Sequence, residues 1–109
     1  MQPEPDSGLE RRAKARFPLR LSVRYRTLSG NTMVAGEGTT VNMSSCGLLI
    51  ESEEANLRTG SKVQLMVDWP FLLHGITPLQ LIVSCRVTRS RPEGFAVKTE
   101  QYLFRTRKR

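Results

Sequence analysis

The chain has 109 residues, 39% hydrophobic and 6% aromatic, and its 17 Lys and Arg against 10 Asp and Glu give a formal net charge of +7. That length fits one domain with one small core, and a pI of about 10.3 favours anionic partners: phosphates, nucleic acid or an acidic membrane surface. So few aromatics leave little platform for stacking single-stranded nucleic acid. Cys46 and Cys85 are too few for a disulfide scaffold and have no metal-motif spacing, so both are expected to be buried, reduced thiols.

Residues 1–9 are polar with two prolines and read as a disordered tail, with no charged-then-apolar targeting signal. Seven basic residues then fall between Arg11 and Arg26, while Thr27 to Ala55 holds none. Such clustering suits a ligand-binding arm better than a general solubilising coat. Leu19, Leu21, Val23 and Tyr25 alternate with Arg20, Ser22, Arg24 and Arg26, the pattern of a half-buried strand.

Gly30-Asn31 marks a turn, Glu37–Val41 a second strand and Gly47–Glu51 a third. A loop closed by Gly60 leads into a fourth alternating run, Lys62–Asp68. Trp69–Pro78 reads as a proline-bounded connection, Leu79–Arg89 as a long fifth strand and Gly94–Thr99 as a sixth. Tyr102 and Phe104 also alternate, consistent with a last strand that continues, and Arg105–Arg109 reads as a solvated basic tail. Short strands with Gly/Pro turns and no sustained helical period predict an all-β fold, and closure into a six-stranded antiparallel barrel removes exposed edges. The longest apolar region, Trp69–Val83, is broken by Pro70, His74, Gly75 and Pro78. It is too short to span a bilayer, so no membrane insertion and a cytoplasmic location are expected.

Two motifs bear on chemistry. Arg12-Ala13-Lys14-Ala15-Arg16 is an R-x-x-x-R just before the first strand. The spacing recurs at Arg16/Arg20, Arg20/Arg24 and Arg105/Arg109, and Pro18 argues against a helical stripe. The pair therefore reads either as a solvated basic arm or as two planar guanidinium groups aimed at one phosphate-bearing ligand. Asn42-Met43-Ser44-Ser45-Cys46-Gly47 is an N-x-S-x-x-G turn. It reads either as a polar turn with glycine at a bend, or as a carboxamide and a hydroxyl that meet a base edge while glycine permits close approach.

The two motifs in this order resemble the cyclic di-GMP signature of PilZ domains. The strands Leu48-Leu49-Ile50 and Gly94-Phe95-Ala96-Val97 add to the similarity. The resemblance covers most of the chain and implies a PilZ-type barrel over residues 10–104, with a flexible N-terminal arginine arm and a C-terminal helix that is short or absent. It implies that Arg12 and Arg16 contact phosphates and guanine, that Asn42 and Ser44 read guanine edges, and that Gly47 keeps the surface open. Arg11 resembles the versions that hold a stacked pair of ligands, or is one more solvated arginine. Asn42 stands where aspartate is commoner; it accepts through one oxygen where a carboxylate accepts from both N1–H and N2–H, which lowers the expected affinity.

No nucleophile, acid/base pair or metal cluster stands out, so no enzyme and no cofactor are expected. His74, Glu53 and Glu54 read as surface residues, and Trp69 with Phe71 as barrel-end packing or a partner surface. The expectation is a cyclic di-GMP sensor signalling to a protein partner. The alternatives are a basic nucleic-acid-binding barrel, for which aromatic platforms are lacking, and a nucleotide-free adaptor.

Overall fold

A computed structural model describes residues 19–27, 34–53 and 57–107. Within these, β1 (Ser22–Thr27), β2 (Ala35–Met43), β3 (Gly47–Glu51), β4 (Lys62–Leu73), β5 (Thr77–Arg91) and β6 (Gly94–Thr106) close into an antiparallel barrel in the order β1-β2-β3-β6-β5-β4. The period-two pattern explains the interior: Val23, Tyr25, Ile50, Val63, Leu65, Val67, Val83, Phe95 and Val97 are buried in one core. Phe95 meets the Tyr25 ring edge-on with centroids 5.0 Å apart, a favoured aromatic geometry, and the Tyr25 hydroxyl shares a 3.2 Å hydrogen bond with Ser52.

The seam between β3 and β6 pairs Gly47 with Lys98 and Glu51 with Gly94. A Cβ on Gly47 would lie 2.2 Å from the Val97 carbonyl oxygen, and one on Gly94 would lie 2.1 Å from that of Ile50. Both ends of the seam thus require a residue without a side chain.

Trp69–Pro78 is not a connection. β4 runs on to Leu73, a turn over residues 74–76 reverses the chain, and β5 begins at Thr77. Two effects accommodate the prolines: the β4–β5 register shifts between Trp69 and Leu73, so Pro70 sits in an irregular stretch, and Pro78 serves β6 as acceptor, taking the Arg107 N–H at 2.9 Å. A bulge is where a strand tolerates a residue that cannot donate. Arg105 and Arg107 are likewise held: Arg105 donates to Gln80 Oε1 at 3.1 and 3.3 Å, Arg107 lies 3.8 Å from Asp68, and β6 extends through Thr106. Arg105 and Thr106 thus belong to a strand, where a solvated tail was expected from Arg105 onward.

Candidate functional site

Strict alternation from the buried Thr40 would turn Asn42 into the core. A bulge between Thr40 and Asn42 prevents this: Thr40 pairs with Ile50, Asn42 with Leu49 and Met43 with Leu48. Thr40, Met43, Leu48 and Ile50 are buried, whereas Val41, Asn42 and Leu49 are only half-buried. Directly opposed residues share a face, so Asn42 stands on the outer wall with Leu49. Bulges commonly re-aim a side chain in this way.

The turn that follows is built by its own polar groups. The Ser44 N–H donates to the Gly47 carbonyl at 2.9 Å, and the Cys46 N–H donates to Ser44 Oγ at 3.2 Å. Ser44 is therefore a turn-former as well as a candidate ligand contact. Gly47 is buried and is absent from the positive-φ glycines, Gly60 and Gly75. Close approach of the β6 backbone, not a left-handed turn, accounts for it.

Pairing continues the wall sideways: Leu49 opposes Ala96 and Gly47 opposes Lys98, while on β5 Arg89 opposes Ala96 and Arg86 opposes Lys98. Lys98, Arg86 and Arg89 are exposed, with Arg86 partly engaged by Glu100 at 3.2 Å. A shallow cavity of about 380 Å³ runs along this wall past Val41, Leu49, Ala96 and Arg89. A larger groove, about 1060 Å³, adjoins it: the two share Glu51 and Glu93, and the larger adds Glu37 and Glu53. The larger groove has four carboxylates and no cation in its lining, whereas the smaller sets Arg89 and Arg91 against Glu51 and Glu93. The smaller, with Lys98 and Arg86 further along the wall, is therefore the better anion site.

Arg11, Arg12 and Arg16 lie outside the described residues, but the described chain fixes where they join. Thr40 Oγ1 donates to the Leu19 carbonyl and accepts from the Leu21 N–H at 2.8 Å, and the Thr40 N–H donates to the Leu21 carbonyl at 2.9 Å. Leu19 is thereby tied to the strand that carries Asn42, two positions before it. Arg16 precedes Leu19 by three positions, a reach of about 10 Å when extended.

A family model of the PilZ domain matches residues 10–106. The chain belongs to the PilZ domain family. No curated protein and no solved structure gave a significant match. PilZ domains are cyclic di-GMP-binding modules rather than catalysts, and the closed six-stranded barrel agrees with that fold.

Two sequence expectations change at the surface. Cys46 is exposed, not buried. Aromatics are also not lacking at the surface: Phe71, Tyr102 and Phe104 are exposed beside the half-buried Trp69. Among the described residues no group of three or more His, Cys, Asp or Glu is placed to hold a metal, and no helix is long and apolar enough to cross a membrane.

The two thiols differ sharply. Cys85 donates to the Val63 carbonyl at 3.3 Å; burial, helped by the Glu100 charge, pushes its pKa from 9.0 up to about 12. A thiol-specific disulfide reagent at pH 8 will modify Cys46 within minutes and reach Cys85 only in denaturant. Because the unfolded thiol ionises from pH 9 and the folded one near 12, this group's contribution to stability is complete below pH 9 and is lost on rising to 12. Equal labelling of both thiols in the folded protein would contradict this placement.

Proposed function

We propose that this PilZ domain binds cyclic di-GMP between its arginine motif and the outer wall at Asn42, and signals the bound state to a protein partner. The observation that supports the reading is the Leu19–Thr40 hydrogen bond, which ties Leu19, three positions after Arg16, to the strand that carries Asn42. In this reading Arg12 and Arg16 pair with phosphate oxygens and stack on guanine, using the planar guanidinium fork. Asn42 and Ser44 meet a guanine edge. Gly47 acts through the barrel, by letting β3 and β6 close, rather than by touching ligand.

The bound ligand would bridge the Arg11–Arg16 segment to the wall, altering the surface seen by a partner. That is a binding switch without chemistry of its own. Calorimetric titration with cyclic di-GMP, beside Arg16→Ala and with GTP and duplex DNA as controls, tests it. The expected result is micromolar or tighter binding lost in the variant, with a stoichiometry of two if Arg11 supports a stacked pair. No heat from the unsubstituted protein would end the sensor reading, and a steep salt dependence with DNA alone would favour the nucleic-acid alternative.

A further inference from the structure

The barrel does not end flush. β1 pairs with β4 only through Val67, and β3 pairs with β6 only through Lys98. Beyond those rows β4, β5 and β6 continue as a three-stranded sheet, and past the pairing of Thr106 with Leu79 only the β4–β5 hairpin remains. Its tip exposes Phe71 (68%), Leu72 (48%), Leu73 (41%) and Ile76 (75%). From Trp69 to Cys85 the chain carries no Asp, Glu, Lys or Arg.

Adjacent strand residues project to opposite faces. The exposure of Phe71, Leu72 and Leu73 together, and of Tyr102 (63%) beside Leu103 (55%), therefore leaves both faces of the extension apolar. A flat protein partner or a second copy covers one face. A lipid interface surrounds a protruding tip on every side. The turn also suits an environment poor in water: the Gly75 N–H donates to the Leu72 carbonyl at 3.3 Å, and the Ile76 N–H to that of Leu73 at 3.1 Å. Pro70 has no donor to leave unpaired on the free edge of β4.

Charge completes the pattern. At the base of the hairpin Arg24, Arg105 and Arg107 converge on one recess of about 370 Å³ with Gln80 and Thr106, three cations partly offset by Asp68 beside Arg107 and by Glu37 opposite Arg24. The strand rise puts this collar about 15 Å from the tip. Interfacial elements bury apolar groups about 5–10 Å below the headgroups, so a seated tip leaves the arginines near the level of lipid phosphates. We propose that the β4–β5 hairpin docks the domain on an anionic membrane surface, with Phe71, Leu72, Leu73 and Ile76 in the acyl boundary and Arg24, Arg105 and Arg107 at the phosphates. The hairpin remains too short to span a bilayer, and docking at the interface needs no span. The proposal does not rest on cyclic di-GMP binding.

Flotation of the 109-residue protein with vesicles of phosphatidylcholine alone and of phosphatidylcholine with 30% phosphatidylglycerol tests it. The expected result is binding to the anionic vesicles, weakened by salt, with a blue shift of Trp69, the sole tryptophan. Phe71→Ser with Ile76→Ser should weaken partitioning at least about tenfold while the melting temperature holds, since both side chains are exposed. Arg105→Gln with Arg107→Gln should abolish the preference for anionic vesicles. Absence of vesicle binding, or equal binding by the Phe71/Ile76 variant, overturns the proposal. So does a dimer or a single-stranded DNA complex that the Phe71/Ile76 variant loses while no vesicles are bound, since the tip then serves that occupant.

Discussion

Gly47→Ala is expected to destabilise the barrel by about 3 kcal/mol, the upper part of the range for overpacking a close-packed site. The backbone at Gly47 does not need glycine's freedom, because its φ is not positive; the obstacle is spatial. The new Cβ would stand 2.2 Å from the Val97 carbonyl oxygen and 3.4 Å from its carbon, and these are main-chain atoms of the neighbouring strand, not the end of a side chain that can swing away. Relief requires β3 and β6 to separate at the pair Gly47–Lys98, which opens the seam that closes the barrel. Against a total stability of about 5–15 kcal/mol for a domain of this kind, much of the margin goes. Urea denaturation of Gly47→Ala beside the unsubstituted protein checks this. Unchanged stability with loss of cyclic di-GMP binding would reverse the assignment and make the glycine a ligand-facing residue.

That glycine shows where sequence reading stops. The motif names the residue, and both sequence readings of it, a bend or an approach to ligand, are local, whereas its cause lies some fifty positions away on β6. The same holds for Asn42. Its outward aim depends on the bulge between Thr40 and Asn42, and the only trace in sequence is that Thr40 and Met43, three apart, both face the core. Strands with clean alternation, β1 and the first half of β4, were legible because one face of each is packed and the other wet. Trp69–Pro78 was not, because prolines argue against a strand unless a bulge and a free edge accommodate them. Nor does a sequence reveal that an apolar run is left without cover, which is why Phe71 stayed between barrel-end packing and a partner surface and Tyr102 was read only as a strand position. The arginine arm was read from its neighbours in sequence, and the structure contributes the bond at Leu19 that ties its junction to β2.

The arginine prediction follows from that junction. Arg16→Ala is expected to weaken cyclic di-GMP binding by about 10- to 100-fold, the effect of losing one charge-assisted hydrogen-bonding group worth about 1.5–3 kcal/mol. Arg20→Ala is the informative control, since Arg16 and Arg20 share the same four-residue spacing. Arg20 is already engaged, with Nη2 donating to Glu51 Oε1 at 2.7 Å, and an exposed ion pair of this kind contributes little to stability. Its loss should change ligand affinity less than about threefold. If both variants lose affinity equally, a diffuse basic field, not the Arg12/Arg16 pair, holds the ligand. Asn42→Asp probes the opposing wall. A carboxylate there accepts from both N1–H and N2–H of guanine, so the reading in which residue 42 meets the guanine edge predicts tighter binding. Weaker binding of Asn42→Asp would instead place a phosphate beside this residue, with the cationic wall of Lys98 and Arg89 as its natural counter-charge.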